Sequence, residues 1–442
     1  MIVRSRTFKG GVHVPHFKES TESRPIKSTR LPSTVVVSLH QHTGAPCEPL
    51  VRVGDQVKVG QKIGDSQAAL TAPVHSPVSG KVVKIGPYLM SGGVERPAIT
   101  IESDGLQEVA DTVRPYGSLE NLTRQDLINL IREAGIVGLG GAAFPTYFKL
   151  TPPPGKKFDT LIINGSECEP YLTADQRIMM ERPEDAVLGA RILMKATGVK
   201  QAFIAIEDSK PEAIAAMEKA VSKAKGIQVV PLMAKYPQGA EKQLIKVLLG
   251  REVPSGGLPV DVGAVVSNVG TAVAVANTLK TGMPLIERVV TVTGRPLKEP
   301  SNLLVKIGTK VSDLVNECGG FVREPAKVIV GGPMMGIAQF TLDIPVTKGV
   351  SGILFLDADE TSLEEPGPCV RCGKCVENCP MRLLPLFISQ YADAGRFDDA
   401  AAYGALDCIE CGTCSFVCPS RRHLVQSIRL AKAEIVARRR KK

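Results

Sequence analysis

Hydrophobic and polar residues follow successive rhythms along this chain. Up to about Asp111 they alternate in short runs. Thr34–Ser38 (TVVVS) is an apolar strand, and Val51–Gly64 and Ala72–Val82 alternate between Gly and Pro corners. Side chains on a strand point to opposite faces in turn, so this pattern predicts short strands joined by tight turns. From about Leu122 to Met283 the period lengthens. Leu127, Leu130, Ile131 and Ala134 fall on one helical face, between a capping Thr123 and Gly135. Apolar runs at Thr160–Ile163, Ala202–Ile206 and Gln228–Val230 alternate with helical stretches at Asp185–Thr197 and Pro211–Lys225. That is the rhythm of βαβ units and a mostly parallel sheet. Beyond Ile286 short strands return (Val289–Thr293, Val328–Val330) around a helical Thr309–Glu317. A Pro- and Gly-containing linker, Glu364–Pro368, leads to a cysteine-rich end whose middle, Met381 to Asp407, has helical character.

These rhythms predict a multidomain α/β plus β protein of four units. Residues 1–115 form a barrel-sandwich unit, 116–285 an α/β domain and 286–362 a small β-grasp domain; 363–442 form a helical double-cluster module. A chain of 442 residues is too long for one core, and its 43% hydrophobic content supplies several. The N-terminal unit resembles the barrel-sandwich fold of biotinyl and lipoyl carrier domains. Those carriers bear a modifiable Lys in a hairpin. The stretch between Gly64 and Ala72 holds none, which favours a structural or docking role. His75 reads as a hydrogen-bonded turn histidine rather than a ligand.

Charge and composition narrow the function. No 18-residue apolar span occurs, and the N-terminus lacks the apolar stretch of a signal peptide, so the chain is expected to be soluble and to stay where it is made. Much of the net charge of +9 lies in the tail RLAKAEIVARRRKK. The tail reads as a solvated helix end, or as a surface for an acidic partner or anionic lipid. With 4% aromatics and no Trp there is no stacking platform for nucleic acid.

Eight of the 11 cysteines fall in two copies of C-x2-C-x2-C-x3-C-P: Cys369, Cys372, Cys375, Cys379 and Cys408, Cys411, Cys414, Cys418. This run holds [4Fe–4S] clusters, and its fourth cysteine ligates the partner cluster. The spacing predicts one cluster on Cys369, Cys372, Cys375 and Cys418, and a second on Cys408, Cys411, Cys414 and Cys379. Structural zinc usually pairs two separate C-x2-C knuckles, and disulfides belong to oxidising compartments. Cys47, Cys168 and Cys318 are left over and expected to be free.

The other chemical element is Gly138-Leu-Gly-Gly-Ala-Ala-Phe-Pro-Thr-Tyr-Phe-Lys149. Glycines let main-chain N–H groups approach a phosphate closely, and Lys149 adds positive charge. A tight turn in a packed domain would look the same. The segment resembles the flavin mononucleotide (FMN) loop of the flavin subunit of respiratory complex I, G-R-G-G-A-G-F-P-T-G-x-K. Asn164-Gly-Ser-Glu-Cys-Glu-Pro170 resembles that family's N-x-D-E-x-E-P, Tyr236-Pro-Gln-Gly-Ala-Glu-Lys its Y-x-x-G-E-E-T, and Ser267-Asn-Val-Gly-Thr its N-N-V-E-T. Leu139, Ala143, Ser166 and Ala240 depart from it, standing for Arg, Gly, Asp and Glu.

The whole layout resembles the RnfC family, one of the components of the Rnf ion-translocating electron transport complex. That resemblance implies FMN on Gly138, Gly140, Gly141, Lys149, Asn164 and Asn268, with Gly239 and Glu241 also among the cofactor-binding residues. Glu167 and Glu169 would shape the mouth receiving NADH, and Phe144 would stack on the dinucleotide or pack in the core. No side chain is catalytic, because the flavin carries the chemistry. NADH gives a hydride while cubanes accept single electrons, so a flavin must stand between them. The implied activity is that of one component of a membrane-bound, ion-translocating ferredoxin:NAD oxidoreductase, able to run in either direction. Its partners would be membrane redox subunits and, indirectly, ferredoxin, with the chain peripheral on the cytoplasmic face. A cobalamin reductase, and a non-catalytic electron carrier or scaffold with a degenerate flavin site, are the competing readings.

Overall fold

The computed structural model describes residues 6–361 and 364–440. The expected boundary at 362/363 and the last two residues of the basic tail therefore lie outside the described residues. In the α/β domain four parallel strands run in the order Ile227–Leu232, Gln201–Glu207, Thr160–Asn164, Ala264–Asn268. Both faces are covered, which is why these strands are continuously apolar rather than alternating. Leu161 and Ile163 join a core with the helices Arg124–Glu133, Pro183–Thr197 and Val269–Thr281. Ile162, between them, points the other way into a second core with the helix Glu241–Leu249. Thr123 caps the first helix with a reciprocal capping box to Asp126, and Gly198 ends the second in the left-handed conformation, as the sequence signals require.

The N-terminal unit has two small sheets. One orders Thr34–Ser38, Val94–Ser103, Gly80–Met90 and Gln56–Val57; the other orders Glu48–Pro49, Lys62–Asp65 and Val74–His75. Val35, Val37, Ile63, Val74, Ile99 and Ile101 fill the space between them. His75 is a buried strand residue, not the expected turn histidine; it opposes Lys62 in the ladder. The segment where carrier domains bear their lysine is docked: Arg132 grips Asp65 with two bonds of 2.9 Å, and the Tyr147 hydroxyl donates to the Ala69 carbonyl at 2.7 Å.

A second expectation changes. The first strand, Ile26–Ser28, does not join the barrel-sandwich unit. It pairs in parallel with Ser301–Lys306, at the edge of a six-stranded sheet in the β-grasp unit. Upstream of it, residues 6–18 cross the α/β domain, where Val12 and Tyr236 exchange backbone hydrogen bonds of 2.8 and 2.9 Å. Alternation marks a strand but not its partner, and the partner here lies 275 or more residues away. Lys348 ties three units together: its buried Nζ donates to the carbonyls of Pro73 (2.6 Å) and Gly135 (2.7 Å).

The helices Pro183–Thr197 and Val269–Thr281 touch backbone to backbone at Gly189, where an added Cβ would stand 1.9 Å from the Ala272 carbonyl oxygen. Alanine gains about 1 kcal/mol in a helix interior over glycine. Overpacking against an unyielding main chain costs about 1–3 kcal/mol. Gly189→Ala is thus expected to lower the urea midpoint of unfolding without changing its slope; a midpoint at or above wild type would contradict this contact.

Candidate functional site

Asn164 and Asn268 are register partners at the carboxyl ends of adjacent parallel strands. Ligands of open α/β sheets bind outside this edge. Asn268 also caps the helix Val269–Thr281, its Oδ1 accepting from the amides of Gly270 (2.9 Å) and Thr271 (3.3 Å). Asn164 donates to the Gly239 carbonyl at 2.9 Å and accepts from the Ser166 amide at 3.1 Å.

The Gly-rich loop closes over this edge. Gly138 N–H donates to the Phe144 carbonyl at 2.9 Å, and Leu139 N–H donates to Thr271 Oγ1 at 2.9 Å. Beyond these anchors the N–H groups of Gly140, Gly141 and Ala142 are left to a ligand, while the Ala142 carbonyl accepts from the Thr43 hydroxyl at 3.2 Å; Gly140 and Gly141 are exposed. A Cβ on Gly140 would sit 3.4 Å from Asn268, and one on Gly239 would sit 3.4 Å from Cys168 Sγ and 3.6 Å from Asn164. A side chain at either glycine would lie against these groups, so its absence keeps the strand-end edge open to a flavin. Ala143 has φ +47°, a left-handed conformation that suits glycine, the residue of the resembling loop. Lys149 is ion-paired with Glu241, at the start of the helix Glu241–Leu249. Phe144 is half-buried, its ring 6.0 Å edge-on from that of Phe148.

The two acids expected at the dinucleotide mouth both have internal partners. Glu167, at φ +45°, accepts from the amides of Asp175 (2.7 Å) and Gln176 (3.1 Å), and so caps the helix Ala174–Glu181. Glu169 accepts from the amides of Met334 (3.1 Å) and Met335 (2.9 Å), and burial pushes its carboxyl up to about 7. Beneath this loop two buried lysines hold its carbonyls: Lys210 binds that of Ser166 and Lys18 that of Glu167, each at 2.7 Å. Burial lowers Lys18 to about 8. Cys168 is a free thiol pushed up by burial, which makes it a poor nucleophile.

Sequence reasoning missed Lys18, Lys210, Asp175 and Arg288. Lys210 carried a faint signal in its i,i+3 spacing from Glu207; Lys18 and Arg288 carried none, since their partners are main-chain atoms of remote segments.

All eight cysteines of the double run are free thiols, and they converge on two cavities. One is lined by Cys379, Cys408, Cys411 and Cys414, the other by Cys369, Cys372, Cys375 and Cys418. The two runs fold alike. Arg371 and Glu410 take φ +55° and +56°, Gly373 and Gly412 take +76° and +79°, and the amides of Arg371 and Glu410 each donate to the first cysteine sulfur at 3.4 Å. Burial pushes Cys408 up to about 11 and Cys414 up to about 12. Four such thiols around one cavity favour a cationic centre that ligates them as thiolates.

The two cavities differ in place. The first is the inner one. The Tyr236 hydroxyl donates to the Cys411 carbonyl at 2.7 Å, Gln243 donates to the Pro380 carbonyl at 3.1 Å, and Gly11 donates to the Asn378 carbonyl at 2.9 Å. The second lies outward, with Cys372 exposed and Val370 63% exposed.

Four families match this chain in order: RnfC barrel sandwich hybrid domain over residues 6–106, Nuo51 FMN-binding domain over 131–277, SLBB domain over 289–338, and 4Fe-4S dicluster domain over 368–421. The chain is 47% identical, over all of both sequences, to the C subunit of the Na(+)-translocating ferredoxin:NAD(+) oxidoreductase complex of Acetobacterium woodii. It is 49% identical to the C subunit of the proton-translocating complex of Clostridium ljungdahlii, over 97% of this chain and 94% of that one. Against the C subunit of the ion-translocating oxidoreductase complex of Rhodobacter capsulatus identity is 42%, over 100% of this chain and 85% of that one. With every domain in its expected order and nearly half of the residues shared along the full length, the chain belongs to the RnfC family.

Proposed function

We propose that this chain is the nicotinamide-facing subunit of an ion-translocating ferredoxin:NAD oxidoreductase, peripheral on the cytoplasmic face of the membrane and held there by partner subunits. Ferredoxin would be reached through those partners. Among the described residues no helix is long and apolar enough to cross a membrane. Gly138, Gly140, Gly141, Asn164, Gly239 and Asn268 would hold FMN, with Lys149 and Glu241 beside it. The two cysteine sets would hold [4Fe–4S] clusters. Bound there, the flavin supplies hydride exchange with NAD(H), and the clusters supply one-electron transfer.

The protein's own part is placement. Glu167 and the two buried lysines fix the loop that carries Asn164, Ser166 and Cys168. Since Glu167 and Glu169 bind main-chain amides, Phe144 and the exposed loop backbone are the groups left to meet the dinucleotide. One observation carries the reading: the Tyr236 hydroxyl, on the loop that brings Gly239 to Asn164, bonds the main chain of Cys411. Nucleotide site and inner cysteines are therefore neighbours, and the outer set faces partners.

Two experiments test this. NADH added anaerobically to protein loaded with FMN, iron and sulfide is expected to bleach the yellow flavin absorption; a colour that persists would contradict the reading. In Cys372→Ala, NADH is expected still to reduce the inner cluster. In Cys411→Ala, the outer cluster should respond to dithionite but at least tenfold more slowly to NADH. Reduction of the outer cluster by NADH at the wild-type rate in Cys411→Ala would sink the inner-to-outer order.

A further inference from the structure

Asn268 is a flavin-side residue on the reading above, and the inference here rests on that reading. Its amide has one possible orientation. Two backbone N–H groups, of Gly270 and Thr271, converge on one atom of the amide, and only an oxygen accepts them. The NH2 group must then face the other way, where it donates to Asp175 Oδ2 at 2.6 Å. Asp175 is itself held, since its own N–H donates to Glu167 Oε1 at 2.7 Å. An unbroken line of hydrogen bonds thus runs from Glu167 through Asp175 and Asn268 to the start of the helix Val269–Thr281.

The same helix start anchors the Gly-rich loop, through Thr271 Oγ1 and the amide of Leu139. From the other side Arg288, on the β-grasp strand Glu287–Thr293, donates to the Leu139 carbonyl at 3.2 Å and the Lys348 carbonyl at 2.6 Å. Arg288 is 6% exposed, and both it and Asp175 line a cavity of about 60 Å³ together with Leu139 and Gly270. The charge on Asp175 favours the buried guanidinium, while burial and the neighbouring Glu167 push the Asp175 carboxyl up.

We propose that Asp175 is a positioning residue of the flavin site, acting through Asn268. Asp175 would not touch the flavin. It holds the Asn268 amide in one arrangement before the flavin arrives, beside the helix start that anchors the Gly-rich loop. Preorganisation of this kind appears as affinity.

The test is a double-mutant cycle on FMN binding, read by quenching of FMN fluorescence in flavin-free protein that retains its iron and sulfide. Asp175→Ala is expected to weaken FMN binding about tenfold. Asn268→Ala should weaken it at least as much. Adding Asp175→Ala to Asn268→Ala should cost less than a further twofold, because the residue it positions is gone. Asp175→Asn keeps an acceptor for the Asn268 amide and is expected to lose no more than about threefold. Wild-type affinity in Asp175→Ala, full additivity in the double variant, or a tenfold loss in Asp175→Asn would each overturn the proposal. If wild-type protein failed to bind FMN, the flavin reading itself would fall. If Asn268→Ala weakened binding while Asp175→Ala did not, only the positioning role would fall.

Discussion

One short hydrogen bond, from the Tyr236 hydroxyl to the Cys411 carbonyl, lies where the α/β domain meets the cysteine module. Tyr236 is 1% exposed and is also bound through its main chain to Val12, so it cannot turn away to find water. A buried hydroxyl bond of this sort is worth about 0.5–1.5 kcal/mol net, and leaving it unmade costs about 1–3 kcal/mol. That asymmetry fixes the distance between the strand-end site and the inner cysteines. Glycines let the β-grasp unit and the N-terminal segment approach the cysteine module as closely. A Cβ on Gly412 would stand 2.6 Å from the Met334 carbonyl oxygen, and one on Gly10 would stand 2.7 Å from that of Cys379.

The site is built largely from buried charges answered by main-chain atoms. Lys18, Lys210, Arg288 and Lys348 each donate to backbone carbonyls, and Glu167 and Glu169 each accept from backbone amides. Ionised groups taken from water are tolerated only when so bonded. The arrangement locks loops in place, with Glu207 also answering Lys210 at 2.9 Å, which suits a protein whose chemistry is supplied by bound groups. It also makes the β-grasp domain part of the same structure: Arg288, Lys348 and the Met334–Met335 amides all come from it.

Much of this was legible in the chain. Cysteine spacing alone predicted two sets of four, and those sets line the two cavities, because a ligand run must keep its sulfurs on one side of a short loop. The order of strands and helices in the α/β domain was equally plain, since a sheet buried on both faces writes continuous apolar runs. The Gly-rich loop and the two asparagines were found by resemblance, and they meet at one sheet edge. What could not be read were long-range pairings. Ile26–Ser28 joins a strand far along the chain, and Glu167 and Glu169 bind amides that no local pattern reveals. Asp175 sits in an ordinary helical first turn, where acids are common for reasons of the helix dipole alone.

The central claim is spatial: two iron centres in line behind a flavin, with the Cys411 set between. The most direct measurement is an iron-edge anomalous diffraction map of FMN-loaded protein. Two peaks are expected, one enclosed by Cys379, Cys408, Cys411 and Cys414 and one by Cys369, Cys372, Cys375 and Cys418. The first should be the nearer to flavin density at Asn164 and Asn268. An empty inner cage, or flavin density closer to the outer peak, would contradict the account.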